Sequence, residues 1–370
     1  MSESSRPRTR AKLPKSPLQI VSIGGGTGLS TLLSGLKEYS RDGHGGAHKM
    51  PEVEITAVVT VSDDGGSSGR LRREFDILPP GDIRNCMTAL SEDEHLLSQL
   101  FRYRFDSGRG LKGHSFGNLF LTALHQITGD FAQAVKLSSE ILAIRGRIFP
   151  ATSSNVSLEA VLADGSLVRG ESKISKSRSP IRQVRLRPDN CEPLQETLEA
   201  IATADLITLG PGSLYTSVIP NLLVKGLADA IHSSPALKVY FGNLMWQPGE
   251  TVNFTASQHV QAIHEHARCK LLDVVVLNTA PIPLRLQKRY ARAHVKPVEN
   301  DFAQLNKVGI KVVTASLVRE PRSEEDDKIR HDPAALAEVV IDLASRSRAL
   351  QLKRHMLIEH KKQEQRRPIQ

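Results

Sequence analysis

The amino-acid sequence predicts an α/β fold, a parallel sheet covered by helices and carrying one inserted subregion. Short Val/Ile/Leu-rich runs alternate with longer amphipathic stretches, the pattern of strands returning through helical crossovers. Several of those runs end in glycine or a polar residue, which is where open α/β sheets place their ligands. A chain of 370 residues with 39% hydrophobic and 24% charged content can also bury a full core, as one large domain or two small ones.

The expected strands are Leu18 to Ile23, Ile55 to Val61, Leu206 to Leu209, Leu237 to Phe241, Asp273 to Leu277 and Lys311 to Thr314. Helices are expected over Thr27 to Tyr39, Gly117 to Ile127, Pro193 to Ala202 and Gln258 to His266. From about 148 to 190 the alternation breaks. Short strands around Leu158 to Leu162 and Val184 to Leu186 flank the polar run ESKISKSRSP, so this section is read as an insertion into a single domain spanning 18–347. No internal repeat stands out.

The formal charge of +9 lies entirely in the ends. Residues 1–17 carry five Lys/Arg and one Asp/Glu, and 348–370 carry seven and two, so residues 18–347 sum to zero. Both ends are read as solvated basic tails, the first of them disordered, and nucleic acid is not expected as a partner. Cys86, Cys191 and Cys269 lie far apart without a CxxC pair, which argues against a disulfide framework or a zinc site and fits a reducing compartment. With no apolar run of signal-peptide or membrane-spanning length, the expectation is a cytoplasmic protein without membrane insertion.

Gly24-Gly25-Gly26-Thr27-Gly28-Leu29-Ser30 stands directly after the first expected strand and directly before an amphipathic helix. Glycines let the backbone turn sharply and approach an anion, while the free N–H groups and positive end of a helix attract phosphate. The pattern is neither a strict GxGxxG nor a Walker loop. It is either a phosphate-binding turn or a plain tight connection, and its context favours phosphate. After the second strand comes Ser62-Asp63-Asp64-Gly65-Gly66-Ser67-Ser68-Gly69-Arg70, read as a ligand-facing loop. Asp63 and Asp64 can accept hydrogen bonds from sugar hydroxyls or hold a divalent cation, with Arg70, Arg72 or Arg73 neutralising one of the two.

Asp82 in PPGDIRN and Ser115 in GHSFGNL precede apolar-periodic segments, where helix capping is a sufficient explanation for each. His114 and Asn118 are further ligand candidates beside them. A second strand-turn-hydroxyl element, LITL followed by Gly210-Pro211-Gly212-Ser213 and Leu214-Tyr215-Thr216-Ser217, repeats the logic of the first. If the two strands share a sheet, the two turns can face one crevice and contact two parts of a diphosphate.

GGGTGLS, TVSDDGGSSGRLR, PPGDIRN, GHSFGNL, ITGDF, GRIFPAT, ITLGPGSLYTS, NLMWQPGET and KIRHD occur in this order. With them the chain resembles the CofD-like superfamily, specifically its YvcK-type branch of gluconeogenesis factors, over roughly Leu18 to Leu343. The resemblance implies a three-layer Rossmann-like fold and binding of a UDP-sugar such as UDP-N-acetylglucosamine. It further implies a role in cell shape and envelope synthesis on gluconeogenic carbon sources, through protein partners of the envelope machinery. It draws Tyr290 and Arg330 into the ligand site, with Asn243, Met245 and Gln247 as weaker candidates for the same crevice. The basic ends and the acidic insertion at 321–327 fall outside it. The expectation is a binding regulator with no catalytic residue and no required cofactor, able to self-associate. The alternative is a magnesium-dependent transferase of a nucleotide-activated phospholactate, similar to 2-phospho-L-lactate transferase, with Asp63 and Asp64 holding the metal. NAD can occupy the same diphosphate cleft, but no hydride-transfer constellation accompanies the turns.

Overall fold

A computed structural model of the chain describes residues 16–40, 51–91, 96–321 and 328–365, with side chains described as far as residue 353. Most of the expected N-terminal tail, most of the 321–327 insertion and the last five residues therefore lie outside the described residues.

Among the described residues ten strands form two sheets. The larger has seven, β1 (Leu18–Gly24), β2 (Val53–Val59), β3 (Arg147–Pro150), β7 (Leu206–Leu209), β8 (Leu237–Phe241), β9 (Val274–Asn278) and β10 (Lys311–Ala315). All pair in parallel, in the order β10-β9-β8-β7-β1-β2-β3. The strands read as near-continuous Val/Ile/Leu runs because helices cover both faces and leave no solvent side to alternate toward. The order reverses direction between β1 and β7, since later strands add to one side of β1 and then to the other. Ligands of open α/β sheets bind at such a switch point, beyond the strand carboxyl ends.

The helix Gly26–Leu36 follows β1 immediately and buries Leu29, Leu32, Leu33 and Leu36, a stripe at helical spacing. Against it lies the long helix Pro333–Gln365, which buries Leu336, Ala337, Val340 and Ile341. The two approach so closely that a Cβ at Gly35 would fall 2.0 Å from the Pro333 carbonyl oxygen.

This long helix changes the reading of the C-terminal end. Residues 348–365 continue it rather than forming a separate tail. Arg348 forks onto Asp205, whose carboxylate also accepts the Gln19 N–H, and donates to the carbonyls of Ser16 and Pro17. A guanidinium suits that planar, multiply bonded role, so Arg348 is part of the fold.

The smaller sheet holds β4 (Ser157–Leu162), β5 (Leu167–Arg169) and β6 (Ile181–Arg187), antiparallel in the order β5-β4-β6. It falls within the expected insertion. The first residues of that span, however, belong to β3 of the main sheet.

Candidate functional site

At the switch point the two glycine turns meet. A Cβ at Gly28 would lie 2.2 Å from the Pro211 carbonyl oxygen, so only glycine lets the first turn seat on the second. Gly26 has φ +62°, a left-handed conformation that opens the helix directly off the strand. The helix Gly26–Leu36 has no side-chain cap and no acidic residue in its first turn. Among the described hydrogen bonds, the N–H groups of Thr27 and Gly28 have no protein acceptor. The Gly26 N–H is taken by the Asp82 carboxyl, so the Thr27 and Gly28 N–H groups are the open part of a helix N-terminus of the kind that holds phosphate.

The second turn is electrically different. Tyr215 N–H and the Thr216 hydroxyl donate to the buried carboxyl of Glu250, both at 3.0 Å. That group answers the positive end of the helical segment Leu214–Val218 from inside the protein. Ser213 faces the cleft, and its Oγ accepts from Gln247 Nε2 at 2.7 Å.

Three carboxyls line the same cleft. Asp63 accepts the Gly65 N–H at 2.8 Å, yet burial raises its pKa. Asp82 is pushed up to about 6 by burial and by Asp63, against the opposing pull of the Gly26 N–H that it accepts. Glu171, from the insertion's short helix Glu171–Ile174, is pushed up to about 9 by burial and then by Asp63, Asp82, Glu250 and Asp64. At neutral pH Glu171 therefore carries a proton and can donate to an anion.

Asp64 does not line the cleft. Its Oδ1 accepts the Ser172 N–H at 2.8 Å, and a Cβ at Gly170 would fall 2.1 Å from its Oδ2. Asp64 thus fastens the insertion in place and sets Glu171 over the cleft. No described ion pair includes Asp63 or Asp64: Arg70 donates to the Lys112 carbonyl and Arg72 to Val156 and Ser157. Asp63 faces the cleft and Asp64 the insertion, and among the described residues no three His, Cys, Asp or Glu side chains are grouped to hold a metal ion.

The opposite wall comes from the segment after β8 and from the C-terminal third. Asn243, Leu244, Met245, Trp246 and Gln247 line it, with Tyr290, Ile329, Arg330 and His331. The Tyr290 hydroxyl accepts the Ile329 N–H at 3.2 Å and so joins two distant stretches of chain. Burial holds the His331 ring down at about 4, which keeps it neutral. The whole cleft encloses about 460 Å³.

Of the residues singled out in the sequence, Gly25, Gly26, Thr27, Gly28, Asp63, Gly212, Ser213, Tyr290 and Arg330 line this cleft, as do Asn243, Met245 and Gln247. Gly24, Asp64, Asn118 and Gly210 do not. Asn118 instead donates to Ser67 Oγ at 3.1 Å, and the same oxygen lies 2.9 Å from His114 Nδ1, a buried polar cluster away from the lining. Ser67 to Arg70 are not loop but the first turns of the helix Gly66–Phe75. Ser115 is a helix cap, as expected, accepting the Asn118 N–H. Asp82 is not: Pro80 holds the cap position and the Asp82 side chain turns into the cleft. Glu171, Trp246 and His331 were missed altogether.

Residues 20–318 match the family model described as 2-phospho-L-lactate transferase CofD. The chain belongs to the CofD family. Within it, the chain is 46% identical over 325 residues to the gluconeogenesis factor of Bacillus subtilis, covering 88% of this chain and 98% of that protein. It is likewise 46% identical over 323 residues to the gluconeogenesis factor of Halalkalibacterium halodurans, covering 87% and 95%. A crystal structure of a protein from Bacillus halodurans superposes with a TM-score of 0.82 at 46% identity, covering 88% of this chain and 100% of that one. The gluconeogenesis-factor branch is thus the part of the CofD family in which the chain sits. The family match ends before Ile329, Arg330 and His331, so that portion of the cleft wall lies beyond it. Among the described residues no helix is long and apolar enough to cross a membrane.

Proposed function

We propose that this CofD-family chain is a regulator that binds a nucleotide sugar of the UDP-N-acetylglucosamine type, acting in the cytoplasm on cell shape and envelope synthesis during growth on gluconeogenic carbon. One observation carries the reading: the open N–H groups of a helix N-terminus, Tyr290 and Arg330 converge on a single cleft at the sheet's switch point. The helix start suits a diphosphate. Arg330 can fork onto a phosphate or a base carbonyl, and Tyr290 or Trp246 offers a ring to a base. The cleft needs no cofactor for binding, and NAD is an alternative diphosphate occupant. Regulation then works by linkage, since a ligand that prefers one conformation shifts the population toward it and alters contact with an envelope-synthesis protein or a second copy of the chain.

Calorimetric titration with UDP-N-acetylglucosamine, GDP and NAD, with and without magnesium, tests the reading. Saturable UDP-sugar binding is expected, with the sugar recovered intact, abolished in Gly212→Arg and weakened about tenfold or more in Arg330→Ala. The second reading is a phospholactate transferase, favoured by the family description and by three carboxyls around a phosphate site. Tighter GDP binding that depends on magnesium, with consumption of a GDP-linked donor, would establish it in place of the first.

A further inference from the structure

Beside the main cleft lies a second cavity of about 310 Å³, at the carboxyl ends of β8 and β9. The two share Asn243 and Leu244 as a common wall. Their linings differ in kind. The main cleft presents carboxyls, an arginine and two large aromatic rings, whereas among the described residues no ionisable and no aromatic side chain lines the second.

Its polar groups are amides and a hydroxyl: Asn243, Asn278, Thr279, Gln287 and Asn300. One N–H of each of three amides is already engaged. Asn278 Nδ2 donates to the Ala280 carbonyl at 2.8 Å, Asn300 Nδ2 to the Asn278 carbonyl at 2.8 Å and Gln287 Nε2 to the Ile282 carbonyl at 2.7 Å. Each partner is a backbone carbonyl, which fixes the amide orientation, because a flipped amide would set oxygen against oxygen. The side-chain oxygens of Gln287 and Asn300 and the Thr279 hydroxyl remain without a partner among the described hydrogen bonds. On the shared wall, Asn243 Oδ1 is buried and also has none.

A cavity of unpaired amide oxygens, remaining amide N–H groups and a hydroxyl, with no cationic side chain, gives an anion no counter-charge and suits a ring of hydroxyls that both donate and accept. With no aromatic face, it gives a nucleobase nothing to stack on. The main cleft holds both of the missing features. From this contrast we infer that the second cavity is the sugar subsite, taking the hydroxyl-bearing ring while the phosphates lie at the start of the helix Gly26–Leu36 and the base beside Trp246 and Tyr290. The inference rests on the nucleotide-sugar reading above. A relay links the two compartments: Asn243 Nδ2 donates to Gln247 Oε1 at 2.8 Å, and Gln247 Nε2 to Ser213 Oγ at 2.7 Å. The second glycine turn and the sugar cavity are thereby held in fixed relation.

Thr279 is exposed and its side chain makes no described hydrogen bond, so Thr279→Phe narrows the cavity without opening the core. Calorimetric titration of the wild type and this variant with UDP-N-acetylglucosamine and with UDP tests the assignment. The expected result is about a tenfold or greater loss of affinity for the sugar nucleotide, with UDP unchanged and Thr279→Ser close to wild type. An equal loss for UDP would place the nucleoside or phosphates in the cavity, and unchanged affinity for both would leave it outside the site; either overturns the sugar assignment while sparing the nucleotide-sugar reading. A wild type that binds neither compound would overturn both.

Discussion

Replacing Glu171 by glutamine should make the protein more stable, and increasingly so as pH rises from 5 to 9. Burial and the neighbouring carboxyls of Asp63, Asp82, Glu250 and Asp64 push the Glu171 pKa from 4.5 up to about 9. Below pH 4.5 the folded and unfolded chains both hold the proton. Between 4.5 and about 9 the unfolded chain has released a proton that the folded chain keeps, so stability falls as pH rises, and above about 9 the full penalty persists. At about 1.4 kcal/mol per pH unit, the penalty at neutral pH has a ceiling of about 3 kcal/mol. The side chain is only half-buried, and solvent screening lowers this to about 1–2 kcal/mol. Glutamine keeps the shape and removes the titration. Thermal melts of the two proteins in parallel should show a Tm gain for Glu171→Gln of about 2–4 °C near pH 8 that shrinks toward zero near pH 5. A gain independent of pH, or a wild type that is the more stable at pH 8, would refute the reasoning by showing Glu171 ionised and paired.

Further substitutions test the packing that builds the site. Gly28→Ala drives a Cβ against the Pro211 carbonyl, and with backbone on both sides neither turn can yield cheaply; a loss of about 1–3 kcal/mol in urea unfolding is expected, together with weakened nucleotide binding. Gly170→Ala sets a Cβ against the Asp64 carboxylate at a residue with φ +96°. It should loosen the insertion and flatten the pH dependence attributed to Glu171, read in the same melts. Arg348→Ala leaves Asp205 with the Gln19 N–H but without its guanidinium, and should lower unfolding free energy by about 2–3 kcal/mol with ligand affinity unchanged. Arg346→Ala breaks an exposed pair with Asp342 and should cost less than about 0.5 kcal/mol in the same unfolding experiment.

The main sheet was legible because its strands are Val/Ile/Leu runs with polar or glycine breaks, and a fully covered parallel sheet requires such runs. Strand β2 shows the limit of that signal. Val61 is as buried as the strand itself, so the apolar run outlasts the ladder, which ends at Val59. Strand β3 carried almost no signal: RIFP is short, polar at one end and closed by a proline, a composition tolerated because β3 lies at the sheet edge. The glycine turns could be found because helix start and strand end are both local. Glu171 could not, since ESKISKSRSP has the composition of a solvated loop. Its entry into the cleft depends on a contact with Asp64, more than a hundred residues earlier in the chain. Asp82 misled for the opposite reason, because a good capping residue before an apolar segment is a strong local pattern, and here the cleft overrode it.

The asymmetry between the two glycine turns bears on how a ligand can lie. Two helix starts facing one crevice would offer two anion sites, and a diphosphate would have a choice of register. Glu250 narrows that choice by answering the second start from beneath, through Tyr215 and Thr216, while at the first start Asp82 takes the Gly26 N–H and leaves those of Thr27 and Gly28 open. The second turn contributes Ser213 instead, a hydroxyl tied through Gln247 to Asn243 and so to the wall of the neutral cavity. An occupant anchored by its phosphates at the first turn is thereby directed along that wall. The carboxyl of Glu171 stands over the anchored group with a proton to donate, and it arrives there on the insertion. Filling the cleft consequently loads the insertion and the Tyr290–Ile329 junction together, two segments remote in sequence, and their joint protection in hydrogen exchange on addition of UDP-N-acetylglucosamine is the expected signature. Protection confined to the glycine turns would mean that the ligand is held by its phosphates alone and that nothing is relayed to the far wall.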